Sequence, residues 1–100
     1  MKQLFFGIDG GGTQSRLGIC DETDRLIAQV KGGSTNRYAV GFDAACDNLR
    51  DLIQKLKIES GIDVQNCAAG CFASAGMSTE QETEDFRRFF TGEGIRCPLY

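Results

Sequence analysis

Between Leu4 and Thr13 the chain reads L-F-F-G-I-D-G-G-G-T: an apolar run, one carboxylate, three glycines in a row and a hydroxyl. Those residue types in that order make a cradle for phosphate and a divalent metal. Leu4, Phe5, Phe6 and Ile8 read as a strand covered on both faces, which puts Asp9 where the strand leaves the core, placed to meet a hydrated Mg2+. Gly10, Gly11 and Gly12 have no Cβ, so the chain can turn tightly and bring backbone N–H groups against phosphate oxygens. Thr13 adds a hydroxyl at the far end. An ordinary glycine-rich hairpin is the plainer reading of the same letters, but a hairpin needs no acid at the end of its strand.

Two better-known nucleotide loops do not fit. The dinucleotide fingerprint needs Gly or Ala at position 15 and a helix starting there, whereas Ser15 sits in a run, Gln14-Ser15-Arg16-Leu17-Gly18-Ile19, that alternates like a strand. The kinase-type P-loop ends on Lys followed by Ser or Thr and feeds a helix; Thr13 is followed by Gln14, and the next lysine is Lys31. Strand, glycine cradle, second strand is a phosphate-binding β-hairpin.

The elements needed to hold that hairpin can be traced along the chain. Asp21-Glu22-Thr23-Asp24 is turn-like, and Arg25 to Lys31 reads as a third strand closed by Gly32-Gly33. Ser34 to Val40 reads as a loop. An amphipathic helix is expected from Gly41 to Glu59 through Phe42, Ala45, Leu49, Leu52, Ile53 and Leu56, with Gly61 as its stop. A fourth strand, Gln65 to Ala73, is rich in Cys, Ala and Gly, and should sit centrally with helices on either face. Ser74-Ala75-Gly76 then makes a small-residue loop, and Thr79 with Glu82 forms a capping box for a helix that packs through Phe86, Phe89 and Phe90. Its acidic first turn complements the helix dipole. Ile95 to Tyr100 reads as the start of a fifth strand.

With 41% hydrophobic and 25% charged residues the 100-residue chain has an ordinary globular composition, enough for one modest core. A net charge of −3 leaves no electrostatic footprint for nucleic acid. No apolar run reaches membrane-spanning length and the N-terminus lacks a secretory apolar region, so a cytoplasmic chain is expected, with no membrane partner. Five cysteines without a C-x-x-C pair, and no histidine, argue against zinc and thiol–histidine catalysis. Cys67 and Cys71, four apart, read as two small buried hydrophobes on one face of a strand. Without histidine, a general base must be a carboxylate or a lysine.

The run G-I-D-G-G-G-T resembles the first phosphate loop of the acetate and sugar kinase, heat-shock protein and actin superfamily. Together with Gly33-Ser34-Thr35-Asn36 it is similar to the N-acetylglucosamine kinases and the BadF/BadG/BcrA/BcrD-type ATPases. As a pattern of elements the resemblance runs over the whole chain; these two segments and Ala73-Ser74-Ala75-Gly76 carry its specificity. It implies an α/β, ribonuclease H-like, actin-type ATPase lobe: a mixed five-stranded sheet, its first three strands antiparallel, flanked by helices.

The resemblance also implies roles. Asp9 would hold Mg2+ through water, and the Gly10 to Gly12 amides and the Thr13 hydroxyl would face the β- and γ-phosphates of ATP. Asn36 matches a sugar-contacting position, since an amide both donates and accepts; Ser74 and Gly76 match the substrate-side loop. Asn36 and Ser34 serve equally well as turn caps. Gln14 departs from the Lys or Arg common in related kinases. Residues 1–100 would form an N-terminal nucleotide-phosphate-binding lobe that ends before the catalytic aspartate and the second lobe, so none of its residues is the base and it turns nothing over alone. Its partners would be an amino sugar and the missing C-terminal lobe, with a homodimer left open. The expected activity is phosphorylation of N-acetylglucosamine or a related amino sugar. The alternatives are a BadF-type ATPase module that activates a dehydratase or reductase, and a non-catalytic actin-like nucleotide-binding protein.

Overall fold

The computed structural model describes residues 3–74 and 77–100. Four strands, β1 (Leu4–Gly10), β2 (Gln14–Asp21), β3 (Leu26–Gly33) and β4 (Ala69–Ser74), form one mixed sheet in the order β3-β2-β1-β4. The first three run antiparallel to their neighbours and β4 runs parallel to β1, as the sequence led us to expect. Of the anticipated fifth strand, one parallel bridge from Gly70 to Leu99 is formed, with Tyr100 N donating to Gly70 O at 2.9 Å.

Both long helices, α2 (Phe42–Ser60) and α3 (Glu80–Gly92), pack on one face of this sheet. Phe6, Ile8, Leu17, Ile19, Val30 and Phe72 point into that core, where they meet Leu49, Leu52 and Leu56 of α2 and Phe86 and Phe90 of α3. Phe72 lies edge-on to Phe86 and Phe90 at 5.0 and 5.3 Å between ring centroids. The opposite face carries Gly7, Asp9, Arg16, Cys71 and Ala73, all exposed. This corrects the expectation of a first strand covered on both faces and a fourth strand sandwiched between helices. Small residues such as Cys71 and Ala73 permit close packing, but here no described element lies against them. Cys67 is buried in the connection just before β4, whereas Cys71 faces outward; a short 3-10 turn at Val64–Asn66 takes the place of the strand's expected beginning. Burial pushes the thiols of Cys46 and Cys67 up to about 11, which leaves them as inert apolar filling at neutral pH.

Local signals account for most element ends. Gly61 stops α2 in the left-handed region at φ 75°, its N–H donating to Lys57 O. Thr79 and Glu82 make the reciprocal capping box of α3. Gly32 and Gly33 are the last two residues of the third strand and have a second use in packing. They belong to β3, where a Cβ on Gly32 would lie 2.9 Å from the Leu52 side chain and one on Gly33 2.8 Å from Asn48, so their bareness lets α2 close down on the sheet. A register shift at Ile19/Cys20 inserts Ile27 as an extra residue in β3, which explains why Leu26 and Ile27 are exposed despite their apolar character.

In β4, Gly70 lies beside Phe6 of β1, and a Cβ there would come within 2.1 Å of the Phe6 ring. Gly70→Ala should therefore cost about 1–3 kcal/mol of stability by overpacking. At Gly7 an added Cβ meets nothing within 4 Å, and Gly7→Ala should change stability by less than about 0.5 kcal/mol. Urea unfolding of the two variants checks the contrast.

Candidate functional site

The chemistry-bearing segments meet at one edge of the sheet, where β1, β3 and β4 end together. Gly10, the last residue of β1, lies beside Ser15 of β2 on one side and Ser74 of β4 on the other. The turn from Gly11 to Thr13 projects beyond them, fully exposed. Ser34, Thr35 and Asn36 leave β3 and cross beneath that turn. In doubly wound sheets the carboxyl ends of parallel strands are where ligands gather.

The crossing is fixed by hydrogen bonds rather than by apolar contact. Ser15 Oγ donates to Thr35 Oγ1 at 3.0 Å and accepts from Thr35 N at 3.1 Å, and both residues are wholly buried. Ser34 Oγ donates to Gly11 O at 3.1 Å and accepts from Asn36 N at 3.1 Å. Asn48 Nδ2 of α2 donates to Ser34 O at 2.7 Å, and Ser74 Oγ donates to Thr35 O at 3.2 Å. Among the described residues no buried side-chain nitrogen or oxygen lacks a partner. Gly10 completes the joint by leaving room: a Cβ there would lie 2.0 Å from Thr35 Oγ1. Ser15, Thr35 and Asn48 were not singled out from the sequence. Two small hydroxyls in an alternating run and a polar loop carry little signal until the register places them opposite one another.

In the turn itself, Gly11 N–H donates to Gln14 O at 2.9 Å, so that amide closes the hairpin. No described residue accepts from the amides of Gly12 or Thr13, and nothing lies within 4 Å of where a Gly12 Cβ would be. Among the described residues the hairpin's glycines do not take positive φ; Gly10 and Gly11 are required by close approach.

Asp9 stands on the open face of the sheet next to this turn. Its neighbours by register are Ala73 and Arg16, and Arg16 is in turn opposite Lys31, so a row of charges crosses that face. Arg16, two residues beyond Gln14 on the same strand, brings a positive charge opposite Asp9. No group of three or more His, Cys, Asp or Glu able to hold a metal occurs among the described residues. Mg2+ does not need one, because it keeps much of its water and binds through one or two carboxylates and the phosphates themselves. A single exposed carboxylate beside free backbone amides fits that donor set.

Asn36 is half-buried and its Oδ1 accepts from Tyr38 N at 3.0 Å, capping α1 (Arg37–Val40), a one-turn helix within the stretch expected as loop. The capping use therefore occupies its oxygen and leaves the amide nitrogen for other partners. Gly76 lies outside the described residues. Glu82, at the first turn of α3, receives Tyr38, Ser78 and Thr79, and these donors, the Tyr38 hydroxyl foremost, hold its carboxyl down to about 2. Asp85 is also held below the usual carboxylate range, by Gln81 and then by Arg37.

The family model of the BadF/BadG/BcrA/BcrD ATPases matches residues 6–96, from the middle of β1 to beyond α3. The chain belongs to this ATPase family. The fold is similar to that of a protein from Chromobacterium violaceum provisionally assigned as an N-acetylglucosamine kinase, with a TM-score of 0.69, 19% identity, and coverage of 86% of this chain and 30% of that one. It is also similar to a reductive activator for a corrinoid, iron–sulfur protein, with a TM-score of 0.56, 16% identity, and coverage of 72% and 15%. The chain spans less than a third of the length of either protein. Among its described residues no helix is long and apolar enough to cross a membrane.

The Ser15–Thr35 pair is the joint to test. Thr35→Val removes one hydroxyl and leaves the other buried without its partner, at a cost of about 1–3 kcal/mol. Ser15→Ala should cost a similar amount, and the double variant should be less destabilised than the sum of the two by about 1 kcal/mol. A double-mutant cycle by chemical denaturation measures this; strict additivity would show that the two hydroxyls do not act together.

Proposed function

We propose that this chain is the N-terminal nucleotide-phosphate-binding lobe of an ATP-dependent kinase that phosphorylates N-acetylglucosamine or a related amino sugar. The observation that carries the reading is the seating of Ser34–Asn36 directly against the glycine turn, so that a phosphate-sized anion on the turn and a polar ligand at Asn36 would share one rim. The provisional assignment of the Chromobacterium violaceum protein, similar over most of this chain, supports the same substrate class. In this reading the lobe is the ribonuclease H-like half of an actin-type cleft, with residues 95–100 continuing as a fifth strand, and a second lobe supplies the adenine pocket and the catalytic aspartate. The lobe alone would bind ATP weakly and turn nothing over.

The residues would divide the work as follows. The amides of Gly12 and Thr13, with the Thr13 hydroxyl, donate to the terminal phosphates. Gly10 and Gly11 keep the turn tight above Thr35. Asp9 would hold Mg2+ through water, and the bound ion would supply positive charge against the phosphates. Asn36 directs its amide nitrogen to a hydroxyl or acetamido oxygen of the sugar, and Ser74 borders the same side. A second reading, an ATPase module that drives an activator, is favoured by the likeness to the reductive activator; there the nucleotide roles would stand and Asn36 would be a cap only.

Two substitutions in the intact two-lobed protein separate these roles. Asp9→Asn should keep the fold and lower kcat/KM by about 10²-fold or more at saturating Mg2+; activity within about threefold of wild type, under about 1 kcal/mol, would remove Asp9 from the mechanism. Asn36→Asp keeps the oxygen that caps α1 and deletes the amide donor. It should raise KM for N-acetylglucosamine by about tenfold or more with no loss of thermal stability and little change in KM for ATP. An unchanged sugar KM would favour the activator reading.

A further inference from the structure

The one-turn helix α1 has four residues, none of them buried, and a helix of that length has no stability of its own. It nevertheless follows directly on Asn36, so whatever fixes α1 fixes the candidate sugar contact. Two side chains tie it to α3. Arg37 Nη1 donates to Asp85 Oδ2 at 3.1 Å, with its guanidinium 4.6 Å from the centre of the Phe42 ring. Tyr38 lays its hydroxyl against Ser78 Oγ at 2.8 Å and donates to the Glu82 carboxylate. The Tyr38 side chain is 62% exposed, so burial does not hold it there; the hydroxyl contacts do.

Glu82 serves two elements at once. Its Oε1 accepts from Ser78 N and Thr79 N at 3.1 and 3.0 Å and so caps α3, while its Oε2 receives Tyr38. The start of α3 and the short helix that follows Ser34–Asn36 are thereby joined through one carboxylate. The phosphate turn has its own fastening through Ser15, Ser34 and Gly11 and does not depend on this one.

We infer that the Tyr38–Glu82 contact is a clasp that sets the position of Asn36, making Tyr38 a positioning residue for the sugar side of the site and not for the phosphate side. The inference rests on the proposed role of Asn36. Losing the clasp leaves the Arg37–Asp85 pair as the remaining tie between α1 and α3, and the Tyr38 amide that orients the Asn36 side chain is then held less firmly.

Tyr38→Phe in the intact protein keeps the ring and deletes only the hydroxyl. The expected result is a rise of about tenfold in KM for N-acetylglucosamine, as befits loss of a charge-assisted hydrogen bond, with KM for ATP changed less than about twofold. Amide hydrogen exchange should accelerate at residues 38–41 and stay slow in β2. Glu82→Gln, which retains a capping acceptor for α3 but one acceptor fewer for Tyr38, should show the same split between the two substrates. Unchanged exchange at residues 38–41 in Tyr38→Phe overturns the clasp. Faster exchange with an unchanged sugar KM, or with both KM values raised equally, overturns its positioning role. If the wild-type protein phosphorylates no amino sugar, the kinase reading fails and the positioning role with it, while the exchange data still decide whether the clasp holds α1.

Discussion

Two buried hydroxyls, Ser15 Oγ and Thr35 Oγ1, meet at 3.0 Å beneath the exposed turn that follows β1, and the geometry of the site follows from that contact. Polar groups this deep are retained only when each is satisfied, since a lone buried donor or acceptor costs about 1–3 kcal/mol. Here the Ser15 oxygen also takes the Thr35 amide, and the Thr35 carbonyl takes Ser74, so three strands and the segment after β3 are fastened at one point. Gly10 must be bare for the contact to exist. A glycine cradle that could have been an isolated hairpin turn is thus bound to the rest of the fold from beneath, with the exposed Gly12 and Thr13 at its outer side.

That arrangement gives a physical sense to the placement of the chemistry. β1 and β4 run in parallel and end together, and the polar atoms of the turn, of Ser34–Asn36 and of Ser74 collect beyond their carboxyl ends. The hydrophobic face, with Phe6, Phe72, Phe86 and Phe90 interlocked, makes a stiff base for them. Asp9, Gly12 and Thr13 are exposed and outside that apolar core, so substitutions at these rim positions are expected to change binding without dissolving the fold, unlike those at the buried Ser15–Thr35 pair.

Much of this was legible from residue order. Alternation gave β2 and β3, an apolar run β1, Gly61 the end of α2, and the Thr79–Glu82 pair the start of α3, because each of these signals acts within a few residues of itself. What escaped depended on distant partners. Gly32 and Gly33 look like a strand terminator alone, but their packing role is set by Leu52 and Asn48 on α2. Ile27 looks like an inward-facing residue until the bulge at Ile19/Cys20 shifts the register. Cys71 and Ala73 look like packing positions on a central strand, yet the face they occupy is open among the described residues. The segment Arg37–Val40 has no helical periodicity to detect and owes its turn to Asn36 on one side and Tyr38 on the other. The candidate site residues were found by type and order; the hydroxyl joint that organises them was not, since serine and threonine are ordinary in loops.

Titrating the ¹⁵N-labelled chain with ATP·Mg2+ and following backbone amide shifts shows whether the turn above the Ser15–Thr35 joint receives polyphosphate and communicates with Ser34–Asn36. Saturable shifts are expected at Gly12 and Thr13, accompanied by Ser34, Thr35 and Asn36, with the C-terminal half of α2 unmoved. Shifts confined to another surface, such as the first turn of α3, or a rim that stays silent while nucleotide binds, would show that the turn is not the phosphate site.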